Sequence, residues 1–72
     1  MTMLLIRQKR MKEGWTQEYV GKHTGVSKVA IHDIETGKTK PSHGVLVKLE
    51  NLFGLSHREL FEEVDGEKVE SR

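Results

Sequence analysis

The segment Gly25-Val26-Ser27 constrains this chain more than any other. Residues with helical spacing precede it, ending near Thr24, and others follow it from Lys28 to Glu35. Gly25 can take the positive φ that ends a helix. Ser27, two residues on, brings a hydroxyl oxygen suited to capping a new one. So short a turn sends the second helix across the first and presents it outward. That second helix carries Val29 or Ala30, Ile31 and Ile34 on one side, and Lys28, His32 and Asp33 on the other. A basic loop, Gly37-Lys38-Thr39-Lys40-Pro41, follows at once, and Pro41 biases Lys40 away from the α region.

The same local rules predict five helices and no strand-like alternation. The first is expected from about Met3 to Glu13, with Thr2 as its N-cap and Gly14 as its stop; Met3, Ile6 and the Arg10 stem share a face. The second starts after Thr16, whose hydroxyl caps it, and Glu18 in its first turn suits the helix dipole. The third is opened by Ser27 and stopped at Gly37. The fourth runs from His43 or Gly44 to Phe53 between Ser42 and Gly54, with Leu46, Leu49, Leu52 and Phe53 as its core face. Ser56-His57-Arg58-Glu59 is a capping box that opens the fifth, and turns Leu60 and Phe61 inward. The expectation is an all-α domain over residues 1–64 and a charged, frayed tail over 65–72.

At 72 residues the core is small, and no cysteine is present to staple it. No Cys/His cluster has zinc-ligand spacing, and no apolar run approaches membrane-spanning length. A secretory leader is not expected, since the apolar stretch Thr2–Ile6 is too short for one. The net charge of +1 conceals two poles. Residues 1–49 hold nine basic and four acidic side chains, a balance of +5; residues 50–72 hold three and seven, a balance of −4. The positive pole contains the proposed helix pair, a distribution suited to attracting phosphate.

Taken together, Ile6 to Phe61 resembles the Cro and phage-repressor type of helix-turn-helix domain, the xenobiotic-response-element family. Arg10 followed by Gly14-Trp15-Thr16-Gln17 is similar to the family's opening, and Gly21 is the small residue where the two helices press together. Gly25-Val26-Ser27 matches its turn, Ile31 and Ile34 its buried pair, and Glu35-Thr36-Gly37-Lys38 its exit. Leu55-Ser56 with Leu60-Phe61 resembles its closing helix. Three positions depart from the pattern: Thr24 stands where an aliphatic is usual, Gly21 where Ala is commoner, and Lys9 where many members bury Leu.

The resemblance implies a five-helix, lambda-repressor-like fold and a partner, double-stranded DNA. Ser27, Lys28, Val29 and His32, on the outward N-terminal half of the third helix, are the expected base readers. Lys28 can donate to guanine, Val29 can pack on a thymine methyl, and His32 can donate to an acceptor. Thr16 and Gln17, at a helix N-terminus where free N–H groups attract anions, are expected to hold phosphate. Arg10, Thr36, Lys38, Thr39, Lys40 and His43 are expected phosphate contacts as well. The resemblance also implies an ion pair between Arg10 and Glu35 that ties the first helix to the end of the third. Trp15 is read as covering the turn before the second helix, and Tyr19 as lying at the rim.

One such domain buries too little DNA to be selective alone, so a homodimer on a palindromic operator is expected, with Leu55, His57, Arg58 and Glu59 as its contact surface. The resulting expectation is a cytoplasmic, bacterial or phage-encoded transcriptional regulator, of the phage-repressor or restriction-modification-controller kind. No cofactor, metal, membrane or small-molecule ligand is expected. An antitoxin or adaptor that keeps the fold but binds protein is the alternative. An enzyme fits poorly: no cysteine, no apolar paired carboxylates, no glycine-rich phosphate loop and no triad-like histidine are present.

Overall fold

The protein is described here by a computed structural model covering residues 2–65. Five helices pack in chain order: α1 (Leu5–Lys12), α2 (Gln17–Thr24), α3 (Lys28–Glu35), α4 (His43–Phe53) and α5 (His57–Leu60). Each boundary from α2 onward has a local cause. The side chains of Thr16, Ser27, Ser42 and Ser56 accept from the backbone N–H groups of Tyr19, Ala30, Val45 and Glu59, three residues on in each case. At α5 the box is closed, with the Glu59 carboxylate accepting from the Ser56 N–H at 3.1 Å. Gly25 ends α2 at φ +81°, and the N–H groups of Gly25 and Val26 both reach back to the Gly21 carbonyl.

The start of the chain differs from the expectation. Thr2 caps nothing: Thr2–Leu4 is a strand, β1, and pairs antiparallel with β2 (Glu63–Asp65). The register sets Thr2 against Asp65, Met3 against Val64 and Leu4 against Glu63. Helix α1 therefore begins at Leu5, behind an extended Leu4 that offers no side-chain cap. The Leu5 N–H donates to the Glu62 carbonyl at 2.8 Å, which extends the ribbon into the helix. Asp65 is a strand residue and not the start of a frayed tail; the remainder of that expected tail, 66–72, lies outside the described residues. A mostly helical domain thus carries a two-stranded clasp that joins its two ends.

Among the described residues six side chains form the buried core, and every helix contributes: Ile6 from α1, Val20 from α2, Ile31 and Ile34 from α3, Leu49 from α4 and Leu60 from α5. Around them pack Leu4, Trp15, Val26, Val45, Leu52, Phe53, Leu55 and Phe61. On α4 the inward stripe is Val45, Leu49, Leu52 and Phe53; Leu46 instead lines a shallow groove with Pro41, Ile34 and Phe61. Trp15 stacks on Tyr19 at 5.1 Å and meets Phe53 at 5.4 Å, closing the core beside the α2 turn.

The departures at 21 and 24 are accommodated. A Cβ on Gly21 would stand 2.5 Å from the Val26 carbonyl oxygen, so the turn here closes tighter than an alanine permits. Thr24 is buried, and its hydroxyl donates to the Val20 carbonyl at 2.9 Å, which satisfies the one polar group placed where an aliphatic is usual. Lys9 is half-buried along α1.

Candidate functional site

Burial of Ile31 and Ile34 fixes the rotation of α3, and with it what α3 shows to solvent. Lys28, Val29 and His32 are exposed, Val29 by 67%. Val29 thus places one apolar side chain between the polar Lys28 and His32 on this face. Ser27 is exposed at the start of this face; its oxygen accepts from the Ala30 N–H at 3.1 Å, which leaves the hydroxyl its donor capacity. The turn after α3 is held by the Asp33 carbonyl, which accepts from the Lys38 N–H at 2.9 Å and the Thr39 N–H at 3.3 Å. This hooks the loop under the helix end and leaves Lys38, Thr39 and Lys40 exposed. His43 is exposed at the first turn of α4.

Behind the exposed face lies a buried charge network. Glu35 is 3% exposed. Its carboxylate accepts from Arg10 Nε at 2.6 Å and from an Arg10 terminal nitrogen at 3.2 Å. The other terminal nitrogen donates to the Trp15 carbonyl at 2.8 Å. The Arg10 fork is thus held on both sides, and the expected ion pair is present and largely buried. Three of its five N–H groups make these bonds, so the guanidinium retains donors for a further acceptor.

Gln17 sits between this network and the surface. Its amide nitrogen lies 3.1 Å from Glu35 Oε1 and 3.4 Å from His32 Nδ1. The side chain is therefore engaged within the domain, and what Gln17 offers an outside anion is its backbone N–H at the first position of α2. Thr16 beside it uses its oxygen to cap Tyr19. The Thr36 hydroxyl donates to the Asp33 carbonyl at 3.2 Å, so it faces outward only as an acceptor. A polar cleft joins these groups: Arg10, Gln17, His32 and Glu35 line it with Arg7 and the ribbon residue Thr2. Arg7 was absent from the sequence expectation, although it stands one turn before Arg10 on the same face of α1.

The four residues expected at a dimer contact lie together at the α4–α5 corner but differ in availability. Leu55 packs against the core, and Glu59 is committed to its cap. His57 donates its backbone N–H to Glu50 Oε2 at 2.7 Å, and its ring Nδ1 is 3.2 Å from the same oxygen. These bonds hold the Glu50 carboxyl below its ordinary range, the backbone N–H contributing most. Arg58 is exposed and lines the apolar groove with Pro41, Leu46 and Phe61.

Among the described residues no helix is long and apolar enough to cross a membrane, and no group of three or more His, Cys, Asp or Glu side chains could hold a metal ion.

A helix-turn-helix family profile matches residues 6–60, from the first core residue of α1 to the last of α5. The chain belongs to the Cro/C1-type helix-turn-helix family. Its fold is similar to that of the P22 c2 repressor protein, solved in complex with synthetic operator 9T in the presence of Tl+. The two are 35% identical with a TM-score of 0.73, over 79% of this chain and 86% of the other. A comparison with curated proteins gives no match. The helix-turn-helix match begins after β1 and ends before β2, so the clasp flanks the family's shared part.

Proposed function

We propose that this protein is a transcriptional regulator that binds double-stranded operator DNA through α3. The observation that carries the reading is the exposed rim of that helix, with Lys28, Val29 and His32 open to solvent beside the Lys38–Lys40 loop. The likeness to a repressor bound to its operator supports it. In this reading the N-terminal half of α3 enters the major groove. Ser27 and Lys28 donate to base acceptors, Val29 packs on a thymine methyl, and His32 completes the set. The backbone N–H groups at the start of α2, that of Gln17 first among them, hold the flanking phosphates with Thr16, Arg10, Thr36, Lys38, Thr39, Lys40 and His43.

Selectivity calls for two copies on a palindrome, their reading helices one turn of DNA apart, about 34 Å. The α4–α5 corner around Leu55, His57, Arg58 and Glu59 is the surface we assign to that pairing. Occupying the operator is itself the regulatory act, by excluding polymerase or a competing regulator.

Measuring duplex affinity across a salt series tests this. Lys38 and Lys40 from each of two copies alone make log affinity fall with log salt with a slope of about −3.6, and Arg10 steepens it. A slope near zero would refute the reading and favour a protein-binding adaptor.

A further inference from the structure

We infer that Gln17 is a positioning residue that sets the tautomer of His32, so that α3 offers the bases a hydrogen-bond donor at this position. The functional half of the inference rests on the DNA-binding reading above; the structural half concerns the free protein.

A neutral imidazole bears its hydrogen on one ring nitrogen, and whatever faces the other nitrogen decides which. Here the chain of decisions starts in the interior. The Trp15 carbonyl and Glu35 fix the Arg10 fork, and Arg10 fixes the Glu35 carboxylate. A carboxylate so paired accepts hydrogen bonds and donates none. The Gln17 amide therefore turns its NH2 group to Glu35 Oε1, because the reverse orientation would set a carbonyl oxygen against a carboxylate oxygen. An amide nitrogen has two N–H groups. The second is directed at His32 Nδ1, 3.4 Å away, and makes that nitrogen the acceptor. The ring hydrogen then resides on Nε2, the nitrogen away from Gln17, on an exposed side chain of the reading face.

This has a consequence for base choice. An Nε2–H group suits guanine N7 and O6, adenine N7 or thymine O4, and is unsuited to the amino groups of cytosine and adenine. The other tautomer would reverse that preference. A buried ion pair thereby dictates, through one amide, which base edge an exposed histidine favours. Gln17 acts here through His32 and touches no base with its side chain.

The test is the ring-nitrogen NMR spectrum of His32 in the full chain without DNA, at about pH 8. The native protein is expected to carry the hydrogen on Nε2. Gln17→Met keeps the length and removes the donor; the Nδ1–H fraction should rise about 2- to 10-fold, the worth of one hydrogen bond. Gln17→Ala serves the same purpose if the backbone spectrum of the methionine variant is not native. Selection of bound sites from random duplexes should then show preference relaxed at one base-pair position in Gln17→Met and in His32→Ala, with the other positions kept. Hydrogen on Nδ1 in the native protein, or an unchanged tautomer ratio in both Gln17 variants, overturns the inference. Failure of the native protein to retain any duplex defeats the DNA-binding reading alone, since the tautomer is read in its absence.

Discussion

Replacing Arg10 by methionine isolates the energetics of the network beneath the reading face. The Arg10 side chain is 12% exposed and that of Glu35 only 1%. Arg10→Met keeps an unbranched apolar stem and removes the charge. It strips Glu35 of two donors and leaves Gln17 as its remaining partner. An uncompensated buried carboxylate costs about 3–5 kcal/mol. A domain of 72 residues has about 4–11 kcal/mol of stability in all. The variant should therefore lose a large part of its stability, and its Tm should fall by roughly 12–40 °C. Adding Glu35→Leu removes the stranded charge and should restore most of the loss, because a buried pair exchanged for apolar side chains is often neutral. Urea unfolding of the native, single and double variants measures this as a coupling energy. If Arg10→Met costs less than about 1 kcal/mol, or if the two changes simply add, the pair is not the buried anchor described.

Other outcomes are expected at separate sites. Lys28→Ala should relax selectivity at one base pair, by about 1–3 kcal/mol of discrimination, whereas Lys38→Ala should weaken all duplexes alike and flatten the salt slope by about 0.9 per copy; site selection and a salt series separate the two. Gly21→Ala gains about 1 kcal/mol of helix propensity but drives a Cβ to 2.5 Å from the Val26 carbonyl oxygen, and the forced shift should make it destabilising on balance by about 1–2 kcal/mol in urea. Glu50, held below its ordinary 4.5 by His57, contributes stability that is present above 4.5 and lost as pH falls through the lowered value. Glu50→Gln should remove that acid-side loss, seen as a flatter melting profile between neutral pH and the acid limb.

Most of the fold was legible because its causes are local. A cap is a side chain and an N–H three residues apart, so Thr16, Ser27, Ser42 and Ser56 announce themselves. Helical spacing likewise points to Ile31, Ile34 and Leu49, the capping box points to Leu60, and on α4 the spacing errs by one residue, choosing Leu46 over Val45. The ribbon was not legible. Three residues show no usable alternation, and the partner of Thr2 is Asp65, at the other end of the described chain. The site divides in the same way. The Arg10–Glu35 pair came from family resemblance, and the exposed rim from the apolar stripe opposite it. The bond from Gln17 to His32 depends on how α2 crosses α3, which no spacing along the chain encodes.

The facing of Thr2 and Asp65 across the clasp brings the first and last described residues of this domain side by side. Strand partners lie about 4.5–5.5 Å apart, a gap that a few residues can bridge. A circularly permuted chain could be sewn there and reopened at Gly14, where an added Cβ would meet nothing within 4 Å. The two crossed helices would stay consecutive, and α1 would become the last helix instead of the first.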